Sequence, residues 1–196
     1  MTDETVDPLT ARLAADLDDG FTELVRLHSG AVRGYLFRVT GCAATADDLG
    51  QDTFLRAYVA LQHYSPGRRS QLRPRSWLLA IAANVWRNHV RSSARRPVHA
   101  AEINDACGGW AEPGPGPEER AMAVDDRGRL VAALSRLPDR NRSAVVLRFV
   151  VGMSNSEVAE VQDCPVGTVK AQVSRGLTCL RGLLQDETGR PREAAG

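Results

Sequence analysis

Apolar residues recur at three- and four-residue steps through most of this chain, the spacing of amphipathic helices, and never alternate with period two over a strand's length. Phe21, Leu24, Val25 and Leu27, then Val32, Tyr35, Leu36 and Val39, form the stripes of a first helical run. A turn at Gly41–Ala46 leads into a helix from about Asp47 to His63; Ser65–Gly67 breaks it, and Pro74 and Ser76 precede another over Trp77–Ser93. Residues 1–19 are polar and weakly patterned, an extension that is part helical and part loose. The pattern dissolves over 97–125, where Gly108, Gly109 and a run of alternating Pro and Gly between Glu112 and Glu118 stand among acids. It resumes over 126–185, with Pro138–Asp139 and Gly152 marking turns, and the tail 186–196 reads as disordered. The prediction is all-α: two small helical domains, 20–96 and 126–185, joined by a flexible Pro/Gly-rich acidic linker.

The second block carries the most specific pattern, a helix-turn-helix over Met153–Leu180. Ser154 and Glu157 have capping-box spacing, which satisfies two amides at a helix start. The turn falls at Asp163–Cys164, and Pro165 suits the first position of a second helix. Val166, Val169, Val173, Leu177 and Leu180 give that helix a core stripe, leaving Thr168, Lys170, Ala171, Gln172, Ser174 and Arg175 outward. An ordinary buried hairpin would share the apolar spacing. Caps, spacing and cationic polar face together point instead to the major groove of DNA.

Charge strengthens that reading once it is mapped. The 196 residues carry a net charge of only +1, yet between Thr53 and Ala101 there is no Asp or Glu, while Arg56, Arg68, Arg69, Arg73, Arg75, Arg87, Arg91, Arg95 and Arg96 lie there. Within this run Leu78, Ile81, Ala82 and Val85 make one helix face and Asn84, Arg87, Asn88 and Arg91 the other. Arginine forks clamp phosphates and Asn pairs with base edges. Trp77 is assigned to the core; Trp86 stays open between core packing and stacking on an unpaired base. The loop Tyr64–Arg75 is equally consistent with a pocket for an extruded base and with a flexible basic loop.

Other chemistry is thin. Cys42, Cys107, Cys164 and Cys179 have neither paired nor metal-ligand spacing, and His28, His63, His89 and His99 share none that suggests catalysis. Asp47, Asp48 and Asp52 fall on adjoining turns and would serve Mg²⁺ only if further carboxylates joined them; a solvated docking face is the simpler reading. No enzyme, cofactor or metal is expected. With no basic apolar leader and no apolar stretch longer than about Trp77–Val85, the chain is expected in the cytoplasm, without membrane insertion.

With both blocks in view, the chain resembles the extracytoplasmic-function (ECF) group of bacterial RNA polymerase sigma factors. The matching strings are ADDLGQDTFLRAY and SWLLAIAANVWRNHVR in the first half, and LSRLPDRNRSAVVLRFVVGMSNSEVAEV and CPVGTVKAQVSR in the second. The resemblance implies that Asp48, Gln51, Asp52 and Leu55 dock on core RNA polymerase. It implies that Arg75, Asn84, Arg87, Asn88 and Arg91 capture the melted −10 strand, and that Thr168, Lys170, Gln172 and Arg175 read the −35 duplex. Partners are then core polymerase, promoter DNA and an anti-sigma protein. The linker's Glu102, Asp105, Glu112, Glu118 and Glu119 suit either a solubilising tether or a polyanion mimic in the RNA path. Ala83 and Gln172 stand where the family often has Arg, Asp163 where it often has the turn glycine, and Gly176 lies inside the recognition helix. A stand-alone helix-turn-helix regulator would account for the second block but not the first.

Overall fold

A computed structural model of the protein describes residues 7–93 and 128–188, so the expected linker and the tail beyond 188 lie outside the described residues. Every regular element among these is helical. The first block holds α1 (Pro8–Ala15), α2 (Leu17–Thr40), α3 (Ala43–Gln62), α4 (Pro66–Ser70) and α5 (Pro74–Ser93). The second holds α6 (128–135), α7 (Asp139–Val145, running on as a π-helical turn Val146–Val150), α8 (Asn155–Gln162) and α9 (Val166–Thr188).

Local chemistry sets these boundaries. Asp7 caps α1 by accepting from the Leu9 amide at 3.0 Å, and Asp16 caps α2 by accepting from Asp18 and Asp19. Gly41 ends α2 in the left-handed region, φ 73°. Asp163 closes α8 at φ 51°, a conformation its short polar side chain tolerates. The Ser154/Glu157 capping box is formed in both directions, at 3.2 and 2.8 Å. Pro165 sits one place before α9, its carbonyl accepting from Thr168 and Val169.

Several features differ from the sequence pattern. The amino-terminal stretch supplies a helix that joins the core: Leu9 and Leu13 are buried. α1 crosses α2 at Gly20, where a Cβ would lie 2.6 Å from the Leu13 backbone, so only glycine allows that approach. The basic loop contains α4, capped by Ser65 and started by Pro66. α9 runs three residues beyond the expected end at 185, to Thr188.

The largest difference is between the blocks. One hydrophobic core runs from Leu9 in α1 to Leu180 in α9. Buried Tyr35 shares a 2.9 Å hydrogen bond with Ser143, and the Arg142 guanidinium donates to the Val39 carbonyl at 2.5 Å. α5 lies against α8, and α2 against the π turn. The domains are therefore packed together.

Candidate nucleic-acid interface

α9 presents Thr168, Lys170 and Arg175 to solvent, as the sequence pattern predicts. Gln172 is a correction. It is 6% exposed, and its Oε1 has no hydrogen-bond partner. The cause is Gly176, one turn on, where an added Cβ would meet Val145 Cγ2 at 2.6 Å and Leu137 Cδ2 at 3.3 Å. With no side chain there, α7 comes close, and its approach covers Gln172. The buried face is centred on Val169, Gln172, Gly176 and Leu180, while Val166, expected inside, is 38% exposed. An open groove of about 660 Å³ runs beside this surface, lined by Arg140, Asn141, Thr168, Gln172 and Arg175.

α5 sorts its faces as predicted, but its cations are engaged differently from one another. Asn84, Asn88 and Arg91 are exposed. Arg87 is half-buried and donates to the Val161 carbonyl at 3.3 Å, and Arg75, though exposed, donates to the Val151 carbonyl. Both acceptors belong to the second domain. Trp86, open in the sequence, is buried: it stacks on His89 with ring centroids 5.9 Å apart and lies 5.8 Å from the Arg142 guanidinium carbon. Trp77 is half-buried against the core, beside Tyr64.

The basic loop is tied down. Arg69 donates to the carbonyls of Leu61 at 3.0 Å and Leu13 at 3.3 Å, while Arg68 lies 3.8 Å over the Tyr64 ring. Arg69 thus ties α4 to the ends of α1 and α3.

An open groove of about 900 Å³ runs along α2 and α3 in the first domain. Phe21, Val25, Gln51, Phe54 and Leu55 line it. Leu55 is 65% exposed, and Asp48 and Gln51 are exposed beside it. Asp52 is half-buried and pairs with Arg56 at 2.8 Å. Asp47 pairs with Arg33 at 2.5 Å, which holds its carboxyl below the usual carboxylate range. Both carboxylates are committed to guanidiniums, and no group of three metal-ligating side chains forms among the described residues. No helix among them is long and apolar enough to cross a membrane.

Sequence reasoning missed Arg142. It is 8% exposed and donates to three carbonyls, those of Val39, Ser135 and Leu137, with Asp139 at 3.5 Å. Burial lowers its pKa, yet an arginine stays charged. One arginine among many gave no sequence signal that it would turn inward.

Residues 24–96 match the Sigma-70 region 2 family, and residues 127–180 match Sigma-70, region 4. The RNA polymerase sigma-H factor of Pseudomonas aeruginosa is 30% identical over 190 residues, covering 94% of this chain and 96% of that protein. The RNA polymerase sigma factor CnrH of Cupriavidus metallidurans is 32% identical, covering 92% and 94%. The ECF RNA polymerase sigma factor SigW of Bacillus subtilis is 27% identical, covering 86% and 90%. A solved structure of CnrH in complex with the cytosolic domain of CnrY superposes with a TM-score of 0.64 at 27% identity, covering 91% of this chain and 96% of that one.

Proposed function

Since this chain belongs to the extracytoplasmic-function group of bacterial RNA polymerase sigma factors, we propose a division of labour between its domains on promoter DNA. It is an alternative sigma factor: it binds core RNA polymerase and directs promoter-specific transcription initiation. The second domain reads the −35 duplex through Thr168, Lys170 and Arg175, with Gln172 at the floor of the adjoining groove. The first domain captures the melted −10 strand through Asn84, Asn88 and Arg91, joined by Arg75 and Arg87 when these are released. Asp48, Gln51, Asp52 and Leu55 dock on polymerase beside the α2–α3 groove. Phe149 and Val150, 56% and 41% exposed at the π turn, form a second docking patch on the other domain.

The mechanism is recruitment and strand capture in the cytoplasm, without covalent chemistry by this chain. An anti-sigma protein is its expected regulator, in keeping with the solved relatives found bound to CnrY and to the anti-sigma factor NepR. The reading is carried by two separate polar helix faces, one on a capped helix-turn-helix and one in an acid-free cationic block. Run-off transcription with core polymerase and a promoter library tests it. Initiation from a defined subset of promoters is the expected result; failure to associate with core polymerase sinks the reading.

A further inference from the structure

We propose that α1 and Gly20 serve strand capture without touching the strand. They hold the Leu13 carbonyl where Arg69 can grip it, and Arg69 fixes the row of guanidiniums that leads into α5. Arg69 is then a positioning residue for the melted strand. That consequence rests on the −10 reading above; the brace itself rests on geometry alone.

α4 cannot hold itself. It is five residues long, far below the length at which a helix stands alone, and it contributes no buried side chain. Yet it carries Arg68 and leads through Arg73 to Arg75 at the start of α5, all three exposed. The half-buried Arg69 holds this segment. Its Nε donates to the Leu61 carbonyl at 3.0 Å and its Nη1 to the Leu13 carbonyl at 3.3 Å. The two acceptors lie in the last turns of α3 and α1, where carbonyls run out of intrahelical partners and the dipole favours a cation. A planar fork of donors serves two helix ends at once, whereas an ammonium is a point charge.

The backbone of Arg69 is engaged as well, since its carbonyl accepts from the Leu72 amide at 3.3 Å, two residues before Pro74 opens α5. Arg68, next in the chain, lies 3.8 Å over the Tyr64 ring, and that ring sits 6.1 Å from Trp77 in the first turn of α5. The placement of α4 therefore sets this tier too.

One of the two acceptors comes from α1, which packs against both α2 and α4. At the crossing with α2, a Cβ on Gly20 would stand 2.6 Å from both Cα and N of Leu13. The residue whose backbone rests on Gly20 is thus the one whose carbonyl Arg69 grips. Alanine at position 20 would displace the acceptor and leave every charge in place. α1 and Gly20 lie ahead of residue 24, where the region 2 match begins, so the brace reaches outside the matched helices.

A cationic row that is already ordered loses less conformational freedom on meeting a phosphate chain than a loose segment does. Without Arg69, residues 65–73 would have to be ordered at the moment of capture.

Two measurements on the full chain test this. Hydrogen exchange in the free protein reads the brace through the amides of Arg68, Arg69 and Leu72, all hydrogen-bonded within the segment. Gly20→Ala and Arg69→Met should each speed their exchange about five-fold, with exchange in α9 unchanged as the sign that the chain is folded. Unchanged exchange of these amides in both variants would overturn the brace. Permanganate reactivity of the non-template strand, with holoenzyme on a promoter selected by run-off transcription, reads the consequence. Each variant should slow opening about five-fold, the order expected when roughly one residue's ordering is deferred to capture. The double variant should be no slower than either single one, because both remove the same contact. Arg69→Lys, which keeps the charge, should fall between Arg69→Met and the wild type. If Arg69→Lys and Gly20→Ala both open promoters at the wild-type rate, Arg69 acts by charge alone and the positioning role is overturned. If wild-type holoenzyme opens no promoter, the −10 reading fails, while the exchange result still decides the brace.

Discussion

The two helices proposed to meet DNA are built alike, each an apolar stripe backed by amides and cations, yet they meet the rest of the fold differently. α9 turns Thr168, Lys170 and Arg175 to open solvent, because its buried side is already filled by α7 and α8. α5 has the end of α8 laid across it, and two of its five proposed strand contacts are hydrogen-bonded to second-domain carbonyls. The difference shows that a cationic face is not by itself a free face. A guanidinium within reach of an unpaired helix-terminal carbonyl satisfies it, and any other acceptor must then displace that contact. A polar face without such carbonyls nearby stays available.

Substitutions can break this contrast or sharpen it. The largest effect should come from Arg142→Met, which strands the carbonyls of Val39, Ser135 and Leu137 and removes a tie between the domains. Urea denaturation should show a loss of about 3 kcal/mol, since each buried group left unpaired costs about 1–3 kcal/mol. Gly176→Val attacks the recognition helix alone by forcing α9 from Val145 and Leu137; a loss of about 2 kcal/mol is expected, from overpacking against neighbours that have no room.

Two paired variants then separate the faces by function. Arg87→Ala with Arg91→Ala should slow promoter opening about ten-fold, read by permanganate reactivity of the non-template strand, and leave initial duplex binding nearly intact. Lys170→Ala with Arg175→Ala should do the reverse, weakening duplex binding and lowering its salt slope by about one unit per lost phosphate contact. Equal effects of both pairs on opening would remove the distinction.

The smallest effect is a pH dependence at His28, which feels the charge of Arg75. Burial, then the Arg75 charge, hold the half-buried His28 below its ordinary value of 6.5, against a weaker opposing pull from Asp7. The unfolded chain therefore takes up this proton at higher pH than the folded one. The stability tied to His28 is full above pH 6.5 and falls as the pH drops below it. Denaturation midpoints at pH 8 and pH 5.5 should differ less in His28→Gln than in the wild type.

Much of the site was legible in the chain. The Ser154/Glu157 capping box, the left-handed turn at Asp163 and the polar positions Asn84, Asn88 and Arg91 follow from spacing and side-chain chemistry within a few residues. Gln172 was not legible. A polar residue between Val169 and Val173 reads as outward, and only the approach of α7 at Gly176 encloses it. The glycine, which by helix propensity looked like a mere cost, marks the crossing.

Local sequence determined the helices, their caps and which residues share a face, because those depend on neighbours three or four positions away. Tertiary structure alone decided that Arg87 and Arg142 spend their donors on distant carbonyls and that Trp86 packs inside. It also decided that one of the two helices proposed to face DNA lies partly covered while the other stands open. Partners separated by 74 residues, as Arg87 and Val161 are, leave no periodic trace in a chain, since what joins them is the packing of whole domains.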